Sequence, residues 1–255
     1  MGYQKINIIT GWITFLIALV VYTLTVEPTA SFWDCGEFIA TSYKLEVPHP
    51  PGAPFFLLMG RIFSLFAGDN VEQVAFWVNM LSVLSAAFTV LFLFWSITHL
   101  AKKMLVKAGE VLNIGQTIAV MGAGLVGGLV CTFSDSIWFS AVEAEVYAMS
   151  SFFTAFVFWA ILKWETINDE SDHNKWLILI AYMMGLSIGV HLLNLVTIPA
   201  LGLIVYFKYV EKITPKGVIL TLLTSGAIII AILIGVIPGI PSTVGAMEVF
   251  FVNSM

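Results

Sequence analysis

Apolar residues in this chain lie in long runs separated by short polar joints, and only a bilayer could cover runs of that length. A helix needs roughly 20 apolar residues to cross about 30 Å of hydrocarbon at 1.5 Å rise per residue. Seven runs qualify or nearly do: residues 7–26, 74–100, 115–133, 147–164, 176–191, 194–209 and 217–237. The run 54–67 is too short to stand upright and holds Arg61, so it reads as an interfacial, re-entrant or tilted helix. The prediction is an all-α membrane protein, a single transmembrane domain over residues 1–255 with outer loops at 27–73 and 134–146.

Basic residues orient the spans, because cytoplasmic loops near span ends are enriched in Lys and Arg. With the N-terminus inside, Lys5, Lys102, Lys103, Lys107, Lys163, Lys175, Lys208, Lys212 and Lys216 all fall in the cytoplasm, and only Lys44 and Arg61 lie outside. That is nine of eleven on one side, and no other alternation does as well. A tight turn near His191 and a tail after Pro238 complete the outer side. The tail stops on an apolar stretch, so the chain is expected to be the front piece of a longer protein.

Composition agrees with the pattern and narrows the partners. The 255 residues are 59% hydrophobic and 11% charged, against about 25% charged in soluble domains. A net charge of −5 offers no basic field for nucleic acid. Cys35 and Cys131 could form one disulfide but make no metal signature. The first run has no small-residue cleavage site after it and reads as a retained helix. Gly122, Gly124, Gly127 and Gly128 fit close helix contact. The acids Glu165, Asp169, Glu170 and Asp172 read as a solvated connector, and His99 as a span boundary.

The outer acids are different, because they gather in two aromatic-rich clusters. In the first, Asp34 and Glu37 stand three apart and share a face if a helix starts there. The same spacing fits a capping box with Asp34 as the cap; alternatively, the neighbours Phe32, Trp33 and Phe38 desolvate a carboxylate for acid or base work. Four prolines among residues 48–54 then make a stiff strap that holds His49 at the interface. In the second cluster, Glu143 and Glu145 would point in nearly opposite directions on a helix, with Trp138 and Tyr147 as interfacial anchors. His191, between two short spans, is either a functional group or a packing histidine.

Taken in order, Asp34-Cys35-Gly36-Glu37, His49-Pro50-Pro51-Gly52, Ala144-Glu145-Val146-Tyr147 and Gly189-Val190-His191-Leu192-Leu193-Asn194 resemble the protein O-mannosyltransferase-like membrane glycosyltransferases of family 117, including its bacterial branch. The resemblance runs over essentially the whole chain. It implies a GT-C fold in which a carboxylate of the first outer loop catalyses transfer of a sugar from a polyprenyl-phosphate lipid to a protein or glycan acceptor. Carried over, it makes Asp34 the leading catalytic residue, with Glu37 beside it. Donor phosphate and substrate contacts fall to Arg61, His49, Lys44, His191, Glu145 and Tyr147, with Arg61 favoured for its planar fork. No cofactor is expected, although a metal held by Asp34, Glu37 and Glu145 remains open. The implied setting is the inner membrane, multi-pass, with the outer loops in the periplasm and membrane lipid as a neighbour. The competing class is a non-catalytic transport or assembly subunit, against which stands the lack of an internal repeat.

Overall fold

The computed structural model describes residues 2–107, 110–167 and 170–254, and the chain divides into two compact units, residues 1–194 and 195–255. Among the described residues the secondary structure is helical throughout, without strands. Of the acidic connector, Asp169 lies outside the described residues.

The first unit is built around α4 (Val74–Leu105), a helix far longer than one bilayer crossing needs. Packed on it are α1 (Tyr3–Thr25), α2 (Cys35–Lys44), α3 (Pro54–Ser64), α5 (Ile114–Thr132), α6 (Asp135–Ala141) and α7 (Val146–Glu165). Small and hydroxylated residues let α4 be surrounded. Ser85, Thr89 and Ser96 are buried and donate to the carbonyls of Leu81, Ser85 and Phe92 at 2.7, 2.9 and 2.8 Å, so these three hydroxyls are paired within the helix.

On α5 the glycines do what their spacing suggests. A Cβ on Gly124 would stand 2.6 Å from Thr98 of α4, one on Gly128 would stand 2.8 Å from Thr14 of α1, and one on Gly127 would collide with Ile97. Gly122 faces open space and takes no part. Bulky aromatic rings fill the other side of α4, where Phe92 packs edge-on to Phe156 at 5.1 Å.

Among the described residues six helices are long and apolar enough to cross a membrane: Tyr3–Thr25, Val71–Leu105, Ile114–Thr132, Val146–Glu165, Leu192–Tyr209 and Pro215–Asn253. The expected seventh, over 176–191, is α8 (Glu170–Ile188), which opens on polar residues and stops before the turn at Gly189. Its apolar stretch, residues 176–188, rises only about 20 Å. Short as it is, α8 runs from the end of α7 back to its start, because His191 lies against Tyr147. The apolar run after the proline strap is a short helix as expected, α3 followed by a 3-10 turn at Leu65–Ala67. Cys35 and Cys131 are both free thiols.

In the second unit α9 (Ile198–Tyr209) packs against α10 (Pro215–Ala231), with Gly202 close to Ser225. Thr214 caps α10, accepting from Gly217 N–H at 3.1 Å, one residue before Pro215. The expected outer tail after Pro238 is instead helix. A π-turn at Ile232–Val236 leads into α11 (Ile237–Asn253), with Pro241 inside it. Prolines ordinarily end a helix, but the residues beyond them are apolar, and a local π adjustment re-satisfies the carbonyls that proline leaves free.

Candidate functional site

The loop that leaves α1 is fixed before it reaches α2. Asn79, fully buried on α4, donates from Nδ2 to the carbonyls of Glu27 at 2.7 Å and Thr29 at 3.1 Å. Glu27 N–H donates to the Val142 carbonyl at 2.9 Å, tying this loop to the one between α6 and α7. Trp33 then takes a left-handed backbone, φ 64°, a conformation a bulky residue adopts at a cost of ~1–2 kcal/mol, and turns the chain into α2.

Asp34 is the residue at which α2 starts, yet its side chain makes no capping bond. Nor does Glu37 reach back to close a capping box: it faces the proline strap. Glu37 Oε1 accepts the His49 backbone N–H at 2.6 Å, and Oε2 lies 2.8 Å from His49 Nδ1. The other ring nitrogen, Nε2, stands 3.9 Å from Asp34 Oδ2. The bond to His49 holds the Glu37 carboxyl below the usual glutamate value, and the same bond holds the His49 imidazole above its own.

His49 is held there by the strap around it. Gly52 N–H donates to the His49 carbonyl at 2.9 Å, with Gly52 at φ 76°, where a side chain would be strained. Phe55, at the start of α3, donates its N–H at 2.7 Å to the carbonyl of Gly189. This joint needs glycine, because a Cβ there would lie 2.9 Å from Phe55 Cβ. The Gly189-Val190-His191 segment is therefore a docking point for the strap, which its sequence alone did not reveal.

The second cluster is not helical where its acids lie. Residues 142–145 form an irregular joint between α6 and α7, so Glu143 and Glu145 both turn inward, correcting the expectation of opposite faces. Glu143 accepts a hydrogen bond from the Ser31 hydroxyl, and burial lifts its carboxyl above the ordinary range. Glu145, 6% exposed, is pushed up to about 7, first by burial and then by the charges of Asp34 and Glu143. The Val146 N–H and the charge of His49 work in the opposite direction. Desolvation was expected within the Asp34–Glu37 pair; it falls on Glu145, since Asp34 is exposed, Glu37 is partly exposed and Phe32 and Trp33 point outward.

Tyr147 follows Glu145 on α7, half-exposed, its ring 5.4 Å from His191. His191 Nδ1 accepts the Leu193 N–H at 3.1 Å, and burial lowers the imidazole from its usual value. Two groups thus converge: Asp34, Glu37 and His49 on one side, and Glu145, Tyr147 and His191 on the other.

Arg61 and Lys44 lie elsewhere. Arg61 donates to the Tyr43 carbonyl at 2.8 Å and stacks over the Tyr43 ring, while Lys44 is the last residue of α2. From Asp34 to Tyr43 the helix rises about 14 Å. Among the described residues, the group spaced to hold a metal ion is Asp34, Glu37 and His49, whose ligand atoms lie within 4.8 Å of one another. In that group His49 stands where Glu145 was expected.

Asn79 is the site residue that sequence reading missed. A lone Asn within an apolar span was the available signal.

Residues 34–214 match the family model described as the protein O-mannosyl-transferase TMEM260 N-terminal domain. Two relatives carry the corresponding name. The chain is 27% identical over 141 residues to protein O-mannosyl-transferase tmem260 of Dictyostelium discoideum, covering 55% of this chain and 15% of that protein. It is also 27% identical over 175 residues to TMEM260 of Mus musculus, covering 68% of this chain and 22% of that protein. The chain thus spans a minor part of the length of both relatives. No solved structure matches.

Proposed function

Because the chain belongs to the protein O-mannosyl-transferase TMEM260 N-terminal domain family, we propose that it carries the catalytic site of a membrane glycosyltransferase that moves a sugar from a polyprenyl-phosphate lipid to a Ser or Thr hydroxyl of a protein. The observation behind this reading is the convergence of Asp34, Glu37 and His49 with the buried Glu145 at one end of the helix bundle. The lysines of α4 and α7 stand at the opposite end, which supports an outer, periplasmic site and a cytoplasmic N-terminus in the inner membrane.

In this proposal Asp34 is the base. The acceptor hydroxyl oxygen bonds to the anomeric carbon, the carbon–oxygen bond to the lipid phosphate breaks, and the hydroxyl proton passes to the Asp34 carboxylate. The leaving group is the polyprenyl phosphate. Glu37 does not face the acceptor; it holds His49, whose Nε2 points toward Asp34 and fixes that carboxylate. Glu145, whose burial favours the protonated form, donates a hydrogen bond to the phosphate, with Tyr147 and His191 beside it. Asp34, Glu37 and His49 are spaced to hold a divalent cation, which would supply charge to the leaving phosphate; the reaction as written is balanced without one.

The test is transfer of mannose from polyprenyl-phosphate mannose to protein by membranes carrying the full-length enzyme. Asp34→Asn is expected to lower the rate at least about a hundredfold, the scale of a lost general base. Transfer at the wild-type rate would reject the assignment.

A further inference from the structure

At the end of the first unit remote from the acids, α1, α4 and α7 surround a cavity of about 1020 Å³. No residue assigned to sugar transfer lines it. Lys102, Lys103 and Lys107 from α4 and the segment after it, and Lys163 from α7, supply its charge, and no carboxylate lines it among the described residues. Lys103 is paired with Glu165 at 2.5 Å. Two of the others rest on rings, Lys102 over Tyr3 at 5.1 Å and Lys163 over Trp159 at 5.9 Å.

One and two turns deeper than these lysines, the walls turn aromatic at Trp159 and Trp95. Here lies a second, independent sign of a ligand. Asn7 Oδ1, His99 Nε2 and Trp159 Nε1 are buried with no hydrogen-bond partner among the described residues, and all three residues line this one cavity. Buried polar atoms are nearly always paired, because an unpaired one forfeits its bonds to water. The three covered atoms put unpaired polar groups, two nitrogens and one oxygen, just behind the cavity wall.

We propose that this cavity binds the headgroup of an anionic phospholipid. The phosphate lies against Lys102 and Lys163, and the Trp159 and Asn7 side chains turn their covered Nε1 and Oδ1 toward the headgroup when it binds. The charge disfavours a headgroup with its own ammonium, which would meet Lys102, Lys107 and Lys163 while the neighbouring Glu165 is already engaged by Lys103. Apolar Ile8 and Val106 in the lining, and the position at helix ends where lipid headgroups lie, favour a lipid over a free anion. His99, which reads as a span boundary in sequence, is thereby part of a binding site.

Native mass spectrometry of the full-length protein, titrated separately with dioleoyl phosphatidylglycerol, dioleoyl phosphatidylcholine and inorganic phosphate, tests this. Phosphatidylglycerol is expected to bind at least about tenfold more tightly than phosphatidylcholine, and Lys102→Gln/Lys163→Gln to remove that preference, as two lysines at a headgroup imply. Trp159→Phe, which keeps the ring and deletes the donor, is expected to weaken phosphatidylglycerol alone and serves if the double variant does not fold. Lys175→Gln, outside the cavity, is expected to bind as wild type. Equal binding of the two lipids, or unchanged binding by both cavity variants, would overturn the proposal; displacement of phosphatidylglycerol by millimolar phosphate would reassign the cavity to a soluble anion and overturn the lipid reading.

Discussion

Glu37 takes two hydrogen bonds from one residue, His49, through its backbone N–H at 2.6 Å and its ring Nδ1 at 2.8 Å. One turn of α2 is thereby locked to a proline strap that begins beyond its far end, and His49 Nε2 is left to face Asp34.

This pair sets a pH window. The His49 value is raised, so its contribution to stability is present below the ordinary histidine value near 6.5 and is lost as pH rises through the raised one. The Glu37 value is lowered, so its contribution is present above the ordinary 4.5 and is lost as pH falls through the lowered one. Thermal unfolding from about pH 4 to 9 should show wild type exceeding His49→Gln most between those ordinary values, with the gap closing on the alkaline side.

Glu145 gives the opposite sign. Its value is raised from 4.5 to about 7, so ionising it in place weakens the fold as pH rises through that range. Glu145→Gln, which keeps the shape and removes the charge, should raise the unfolding temperature by about 2–4 °C at alkaline pH and leave it unchanged near pH 4. In the transfer assay the same variant should lose the pH–rate limb near 7.

Gly189→Ala places a methyl 2.9 Å from Phe55 Cβ at the joint between strap and α8. Overpacking of this kind costs ~1–3 kcal/mol. Unfolding should fall accordingly, and transfer should fall further than stability explains, because the displaced strap carries His49. Gly122→Ala, which meets open space, is the control and should unfold as wild type.

Arg61 sits on the Tyr43 carbonyl at the C-terminal end of α2, where a cation complements the helix dipole by ~0.3–1 kcal/mol. Arg61→Ala is therefore expected to lower stability slightly and to leave the KM for the lipid donor within about twofold of wild type. A tenfold rise in that KM would return Arg61 to phosphate binding.

Chelation offers a separate check. Both Glu37 oxygens are engaged by His49, so an ion would have to displace those two bonds. Dialysis against EDTA should leave mannose transfer intact, whereas loss restored by a divalent cation would place a metal between Asp34, Glu37 and His49.

What the sequence alone determined is what depends on runs and local spacing. Membrane class, most spans, the glycine contacts of α5 and the two acid clusters were legible because apolar length and small-residue spacing act within one helix. Tertiary structure decided the partners and the burial. Whether Asp34 and Glu37 cap a helix or face a histidine depends on where a strap twelve residues on from Glu37 returns, and the Phe55–Gly189 and Gly52–His49 bonds help to fix that. Glu145 is buried because the joint after α6 is irregular and covered by the first loop, which helical periodicity could not foresee. Likewise α11 continues past Pro238 because a π-turn absorbs what a proline would otherwise break. Desolvation and hydrogen bonding are set by neighbours distant in sequence, so the chemistry of these acids became readable only once the helices were packed.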